Sequence, residues 1–263
     1  MKEIYAVYRK EMSHYFVSPV AYIIVAVFLI LAAYFFTQLL AVYIQRAFEA
    51  SLEEAQFGGA GPSFDVPSLV MRSFFGVLST LLLFLTPMLT MSVYAEERRR
   101  GTMELLMTSP VTDLQIVLGK FFASLTLLII MLLPTAIGFA YMLRHSEPGG
   151  PWRILGSEYL GVLLLGSALL ALGSFFSSLT ESQLIAAMLS FGAILLLWVL
   201  DFGAQSASSA WSSALEYLSV FRHYDDFTRG VIDTSNVIFY LSFIFLGVFL
   251  TVRSVDSMRW RRA

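Results

Sequence analysis

Apolar and polar positions follow one another along this chain in long blocks. Six runs carry no Asp, Glu, His, Lys or Arg: residues 17–44, 74–93, 121–143, 159–179, 184–200 and 237–252. A helix that crosses a hydrocarbon layer of about 30 Å needs about 20 such residues. The last two runs are short, but uncharged sequence continues over 182–200 and 234–252, which is enough. The pattern predicts an all-α, polytopic membrane protein with six transmembrane helices in a single domain over 1–263.

Residues 2–16 show a different period. At 100° per residue, Ile4, Tyr5, Tyr8, Met12, Tyr15 and Phe16 fall in a sector of roughly 120°, with Lys2, Glu3, Arg9, Lys10 and Ser13 around the rest. This predicts an amphipathic helix lying in the membrane interface. Ser18-Pro19 predicts a break before the first span, because proline disfavours helix at the residue before it. The first sixteen residues mix acids with bases, and the apolar run behind them is too long for a signal sequence, so the first span is predicted to be retained. Pro87 and Pro134 fall inside the second and third spans, where each removes a backbone donor and bends its helix.

Three connections carry further signals. The segment 45–70 is acidic at Glu49, Glu53 and Glu54, then runs into the turn-forming Gly58-Gly59-Ala60-Gly61-Pro62. Between spans two and three, residues 96–110 predict a folded elbow. Gly101 permits a sharp turn, Thr102 is a good N-cap, and Glu104 complements the positive end of a short helix over 103–108 that Pro110 terminates. Leu105, Leu106 and Met107 are left available for burial, and Thr112 with Gln115 has the form of a capping box that starts the third span early. The third segment, 204–235, is aromatic at Trp211, Tyr217, Phe221 and Phe227 yet too polar to cross, which suits a re-entrant or interfacial helix pair. In it His223, Asp225 and Asp226 have the chemistry of a cation site and equally that of solvated loop charges.

Charge sets the orientation. With the N-terminus inside, eleven Lys and Arg residues fall on the cytoplasmic side and six outside, which predicts both termini cytoplasmic in a cell inner membrane. At 57% apolar and 14% charged residues with a mean hydropathy of +0.74, the solvent of most of this chain is lipid. The net charge of −2 gives no footprint for nucleic acid, and zero cysteines rule out disulfides and thiolate metal sites. No metal or cofactor is expected on this chain. Gly119-Lys120 is no phosphate-binding loop, since the spacing and the following residue are wrong. Six spans read as free of ionisable groups also argue against an intramembrane protease and a proton-coupled carrier. The threonines at 37, 80, 86, 90, 126 and 135, with Gln38, could line a path or bond back to their own helices. A non-catalytic membrane subunit moved by another polypeptide is what remains.

Two stretches carry a family resemblance. Residues 97–110, Glu-x-x-x-Gly-Thr-x-Glu-x-Leu-x-x-x-Pro, followed by Val-Thr-x-x-x-Ile-Val-x-Gly-Lys through Lys120, resemble the signature of ABC-2 type permeases. Residues 9–22, Arg-Lys-Glu-x-x-x-Tyr-Phe-x-Ser-Pro-Val-Ala-Tyr, are similar to the branch that includes gliding-motility permeases and the permease of nitrous oxide reductase maturation. The resemblance implies a type V exporter arrangement: an interfacial helix, a coupling helix between spans two and three, and a re-entrant element before span six. It implies that Glu97, Arg98, Arg99, Arg100, Gly101, Thr102 and Glu104 face an ABC ATPase, present in two copies and carrying ATP and Mg, with Met103, Leu105 and Leu106 in the same docking helix. A second permease half and a possible periplasmic subunit complete the implied partners. The alternative is a mechanical or scaffold subunit that passes ATPase motion to a periplasmic partner without moving cargo.

Overall fold

The computed structural model describes residues 2–57, 65–103, 111–145, 150–206 and 219–260, and every regular element among them is a helix. They are α1 (Lys2–Val17), α2 (Pro19–Phe57), α3 (Val66–Thr90), α4 (Ala95–Arg99), α5 (Asp113–Arg144), α6 (Trp152–Leu179), α7 (Gln183–Ser206), α8 (Arg222–Thr228) and α9 (Thr234–Trp260). Six of these, α2, α3, α5, α6, α7 and α9, contain stretches long and apolar enough to cross a membrane. The six predicted spans therefore all occur, and α1 is a separate helix ended at Ser18 as the proline demands.

The second, third and fourth spans start earlier than their uncharged runs, because charge does not decide where a helix begins. Asp65 caps α3 by accepting from Ser68 N, and Thr112 and Gln115 form the complete capping box of α5. This corrects the reading of spans without ionisable groups. Arg72 lies in α3, Lys120 in α5 and Glu158 in α6, and the last two are fully buried.

Three helices form the interior. About two thirds of the apolar windows of α3, α5 and α6 are buried, against about one fifth for α2, α7 and α9. Phe36, Phe74, Phe75, Phe139 and Tyr159 meet at the centre, with ring centroids 4.9 Å apart for Phe74 and Phe139 and 4.8 Å for Phe75 and Tyr159. Edge-to-face and tilted pairs of this kind add to the area they bury. The threonines settle toward their own helices. Thr37, Thr80, Thr86, Thr90, Thr126 and Thr135 each donate to a carbonyl three or four residues earlier.

The bundle has two distinct ends. One gathers α1, α4 and the last turns of α3, α6 and α9. There α1 turns Val7, Glu11 and Tyr15 into the bundle, while Tyr5 and Phe16 stay exposed. The predicted aromatic face is thus divided between protein and surroundings. At the opposite end α8 packs into a notch formed by α3, α6 and α9. Tyr224 donates to Phe75 O at 3.1 Å, Ser157 donates to Phe227 O at 2.9 Å, and Phe227 is fully buried. Gly161 makes that seating possible, since a Cβ there would lie 2.6 Å from Phe227 Cβ. Of the predicted external segment 204–235, positions 207–218 lie outside the described residues.

His223, Asp225 and Asp226 do not converge. Asp225 pairs with Arg72 and Arg229, Asp226 accepts from Asn236, and His223 stacks on Phe239. Among the described residues no cluster could hold a metal ion.

Candidate functional site

The elbow begins where α3 ends at Thr90. The chain turns through Met91 to Tyr94 and enters α4, with Glu96 and Glu97 in its first turn and Arg98 and Arg99 in its last. That order suits the helix dipole at both ends. Arg100 closes the helix, and Gly101 follows at φ +69°, the left-handed geometry that glycine adopts without cost. The predicted sharp turn is therefore present. Its glycine meets nothing within 4 Å of where a Cβ would stand.

α4 is fastened to the end of α6. Ser177 Oγ accepts from Tyr94 N at 3.1 Å and Ala95 N at 3.3 Å, and itself donates to Met91 O at 3.1 Å. One buried hydroxyl thus satisfies three backbone groups that the turn leaves unpaired. Arg98 Nη1 donates to Ser178 O at 2.7 Å, and its other terminal nitrogen lies 3.5 Å from Glu181 in the connection to α7.

The acid beside it makes a second attachment. Glu97 Oε1 accepts from Lys10 at 2.6 Å, and Glu97 Oε2 lies 2.9 Å from the ammonium of Lys120. Lys120 also pairs with Glu11 at 2.9 Å, donates to Val93 O at 2.8 Å, and stands over the Tyr94 ring. With 1% of the Lys120 side chain exposed, this is a buried ion network joining α1, α4 and α5. Burying charge is costly unless each group is paired and bonded, and here two acids and one backbone carbonyl surround one ammonium. The aromatic face of Tyr94 adds a cation–π contact. Tyr15, one turn beyond Glu11, shares a hydrogen bond with Ser124 at 3.0 Å, and burial pushes its phenol well above the ordinary tyrosine range. α1 comes this close because of Gly119, where a Cβ would lie 2.8 Å from Val7.

The predicted site residues thus divide. Glu97, expected at the ATPase interface, turns its carboxylate toward Lys10 and Lys120. Arg98 is largely covered, and Met103 is buried against Val93, Tyr94, Val117 and Val255. Arg99, Arg100, Gly101 and Thr102 are exposed. Arg100 pairs with Glu96, and the Thr102 hydroxyl donates to Glu97 O at 3.4 Å. Glu104, Leu105 and Leu106 lie outside the described residues, as does most of the helix predicted over 103–108.

Sequence reasoning passed over Lys120, Glu11 and Ser177. Glu11 carried a signal, for it stands four residues from both Val7 and Tyr15 and so on the buried stripe of α1. The arrangement is a charged elbow tied by separate bonds to α1, α5, α6 and the α6–α7 connection.

No curated protein matches the chain. The description ABC-2 family transporter protein matches residues 5–254, nearly all of the 263, and the chain belongs to that family, the membrane subunits of ABC transporters that associate with an ABC ATPase.

Proposed function

We propose that this chain is the permease of an exporter-type ABC transporter and that the elbow at 96–110 is where the ATPase engages it. Two ATPase copies carry ATP and Mg, a second permease half completes the bundle, and both termini lie in the cytoplasm of a cell whose inner membrane holds the protein. The opening segment 9–22 favours the branch of gliding-motility and nitrous oxide reductase maturation permeases, in which a periplasmic subunit is a further partner.

The observation that carries the reading is the division of charge on the elbow. Glu97 and Arg98 are spent on α1, α5 and α6, whereas Arg99 and Arg100 remain exposed on the same short helix. A push on the exposed side therefore reaches three helices through bonds already made. Rigid packed elements pass displacement on because interiors do not compress.

The test is charge reversal at the exposed positions. The chain carrying Arg99→Glu and Arg100→Glu is expected to reach the membrane in normal amount, to lose most of the ABC ATPase that copurifies with it, and to lose transport-linked hydrolysis. Unchanged copurification and unchanged hydrolysis would rule the docking role out.

A further inference from the structure

The first uncharged run ends at Ile44, yet α2 continues as helix to Phe57. Tyr43 marks the level at which it leaves the bundle. Its hydroxyl shares a hydrogen bond with Ser73 of α3 at 2.7 Å, and the neighbouring Arg72 lies 3.6 Å from Asp225 of α8, so the charged rim opposite the elbow is reached there. Residues 44–57 carry the helix on for about 20 Å.

This extension keeps an apolar stripe where water should be its solvent. Ile44 is 55% exposed and Phe48 62%, while Arg46, Glu49 and Glu53 stand off the stripe. Ala41, Ile44, Phe48, Ser51 and Ala55 follow one another in alternating steps of three and four, the spacing of the core positions of a coiled coil. The same register runs back through Tyr34, Ile30 and Val27 to Val20, and every core position in it from 20 to 55 is exposed. Ala21, Ile24, Phe28 and Ala32 bury the opposite side of the helix against the bundle. Within the bilayer an outward apolar face is matched by lipid tails. Past the charged rim lipid no longer covers it, and an apolar stripe in water marks an interaction surface.

We propose that a second copy of this chain pairs with the first along this seam, the two α2 helices running parallel and continuing past the membrane as a short two-stranded coil. The seam fits its own copy. In a parallel two-fold pair each core residue meets its counterpart, and the small Ala41, Ser51 and Ala55 between the bulky Ile44 and Phe48 let the backbones approach. Arg46, Glu49 and Glu53 then occupy the positions that such a pair leaves to water, so the acids of the two copies do not face each other. The exposed halves of the large seam residues sum to several hundred Å² a copy, the order of the ~800 Å² that a specific interface takes from each partner. The inference rests on the function proposed above only for there being a second permease half, which it identifies as the same chain, and docking of the ATPase at the elbow is independent of it.

Because the chain has no cysteine, single cysteines report the pairing directly. In native membranes treated with a mild oxidant, Ile44→Cys, Phe48→Cys and Ser51→Cys are expected to give at least about tenfold more disulfide-linked dimer than Glu49→Cys and Glu53→Cys, since a disulfide needs Cα atoms within about 7 Å. Equal linkage at every position, or linkage at none, would overturn the seam. Loss of the ABC ATPase from the same extracts would instead count against the proposed function and leave the seam standing. Phe48→Glu, at an exposed position that the fold of one copy does not use, gives a second measurement. It is expected to raise the dissociation constant of the purified dimer in detergent by about tenfold or more, and an unchanged constant would also overturn the proposal.

Discussion

The ammonium of Lys120 lies 2.9 Å from Glu97, although one residue stands on α5 and the other on α4, and 1% of the lysine side chain meets the surface. This buried charge is one of the ties that hold the elbow to the bundle. Lys120→Met removes the buried cation between Glu11 and Glu97 and leaves the two acids only the half-exposed Lys10. The expected loss is about 3–5 kcal/mol, the usual cost of orphaning a buried ionic partner. It is read as a lower melting temperature of the purified chain in detergent. Neutralising the buried set with Glu11→Gln, Glu97→Gln and Lys120→Met is expected to recover most of that loss, because the charge then left without an acid, Lys10, is half exposed. Equal instability in the triple variant would show that the network matters by shape rather than by charge.

Gly101 separates conformation from space. Its φ of +69° disfavours any side chain, yet nothing lies within 4 Å of the Cβ position. Gly101→Ala is therefore expected to cost about 1 kcal/mol and to keep ATPase coupling. Gly101→Pro cannot adopt that angle and is expected to leave insertion intact while abolishing stimulated hydrolysis. Glu104→Lys is expected to uncouple in the same assay.

At the other end, Gly161→Ala places a methyl 2.6 Å from Phe227 Cβ and 3.1 Å from the Tyr224 ring. Both are held by backbone bonds, so α8 cannot give way without losing them. Faster hydrogen exchange confined to residues 219–230 is expected, equivalent to about 1–3 kcal/mol of overpacking. Exchange that rises uniformly through the bundle would instead mean global destabilisation.

Tyr15 titrates late because it is buried, and Ser124 shares its proton. Its pKa is higher in the folded chain than in the unfolded one, so its contribution is complete below about pH 10 and is lost as pH rises toward the folded value. Tyr15→Phe is expected to cost about 1 kcal/mol at neutral pH for the lost hydrogen bond. The difference from wild type is expected to shrink in melting curves taken above about pH 10.

Much of this was visible in the order of residues. The six spans, the break at Ser18, the capping box at Thr112 and the turn at Gly101 each follow from a local rule, and each is present. Buried charge was not visible, because counting uncharged runs stops a span at the first ionisable group. Lys120 and Glu158 both stand just outside such runs, yet their helices begin about one to two turns earlier, at caps the counting ignores. The elbow was legible as a motif but not as an orientation. Which way Glu97 points is set by the rotation of α4, and that rotation is fixed by Ser177, Arg98 and Lys120, residues scattered through three helices. The exposed half of the site, Arg99 and Arg100, needed no such information, since solvent accepts a charge in any direction.

The position of Lys120 along the chain has a consequence for how the protein is made. Both carboxylates that receive it, Glu11 and Glu97, leave the ribosome first. Until α5 follows, Lys10 can already pair with Glu97, but the two acids lack the buried cation that joins them. Entry of α5 supplies that cation, so this end of the molecule is completed only once the third crossing has begun.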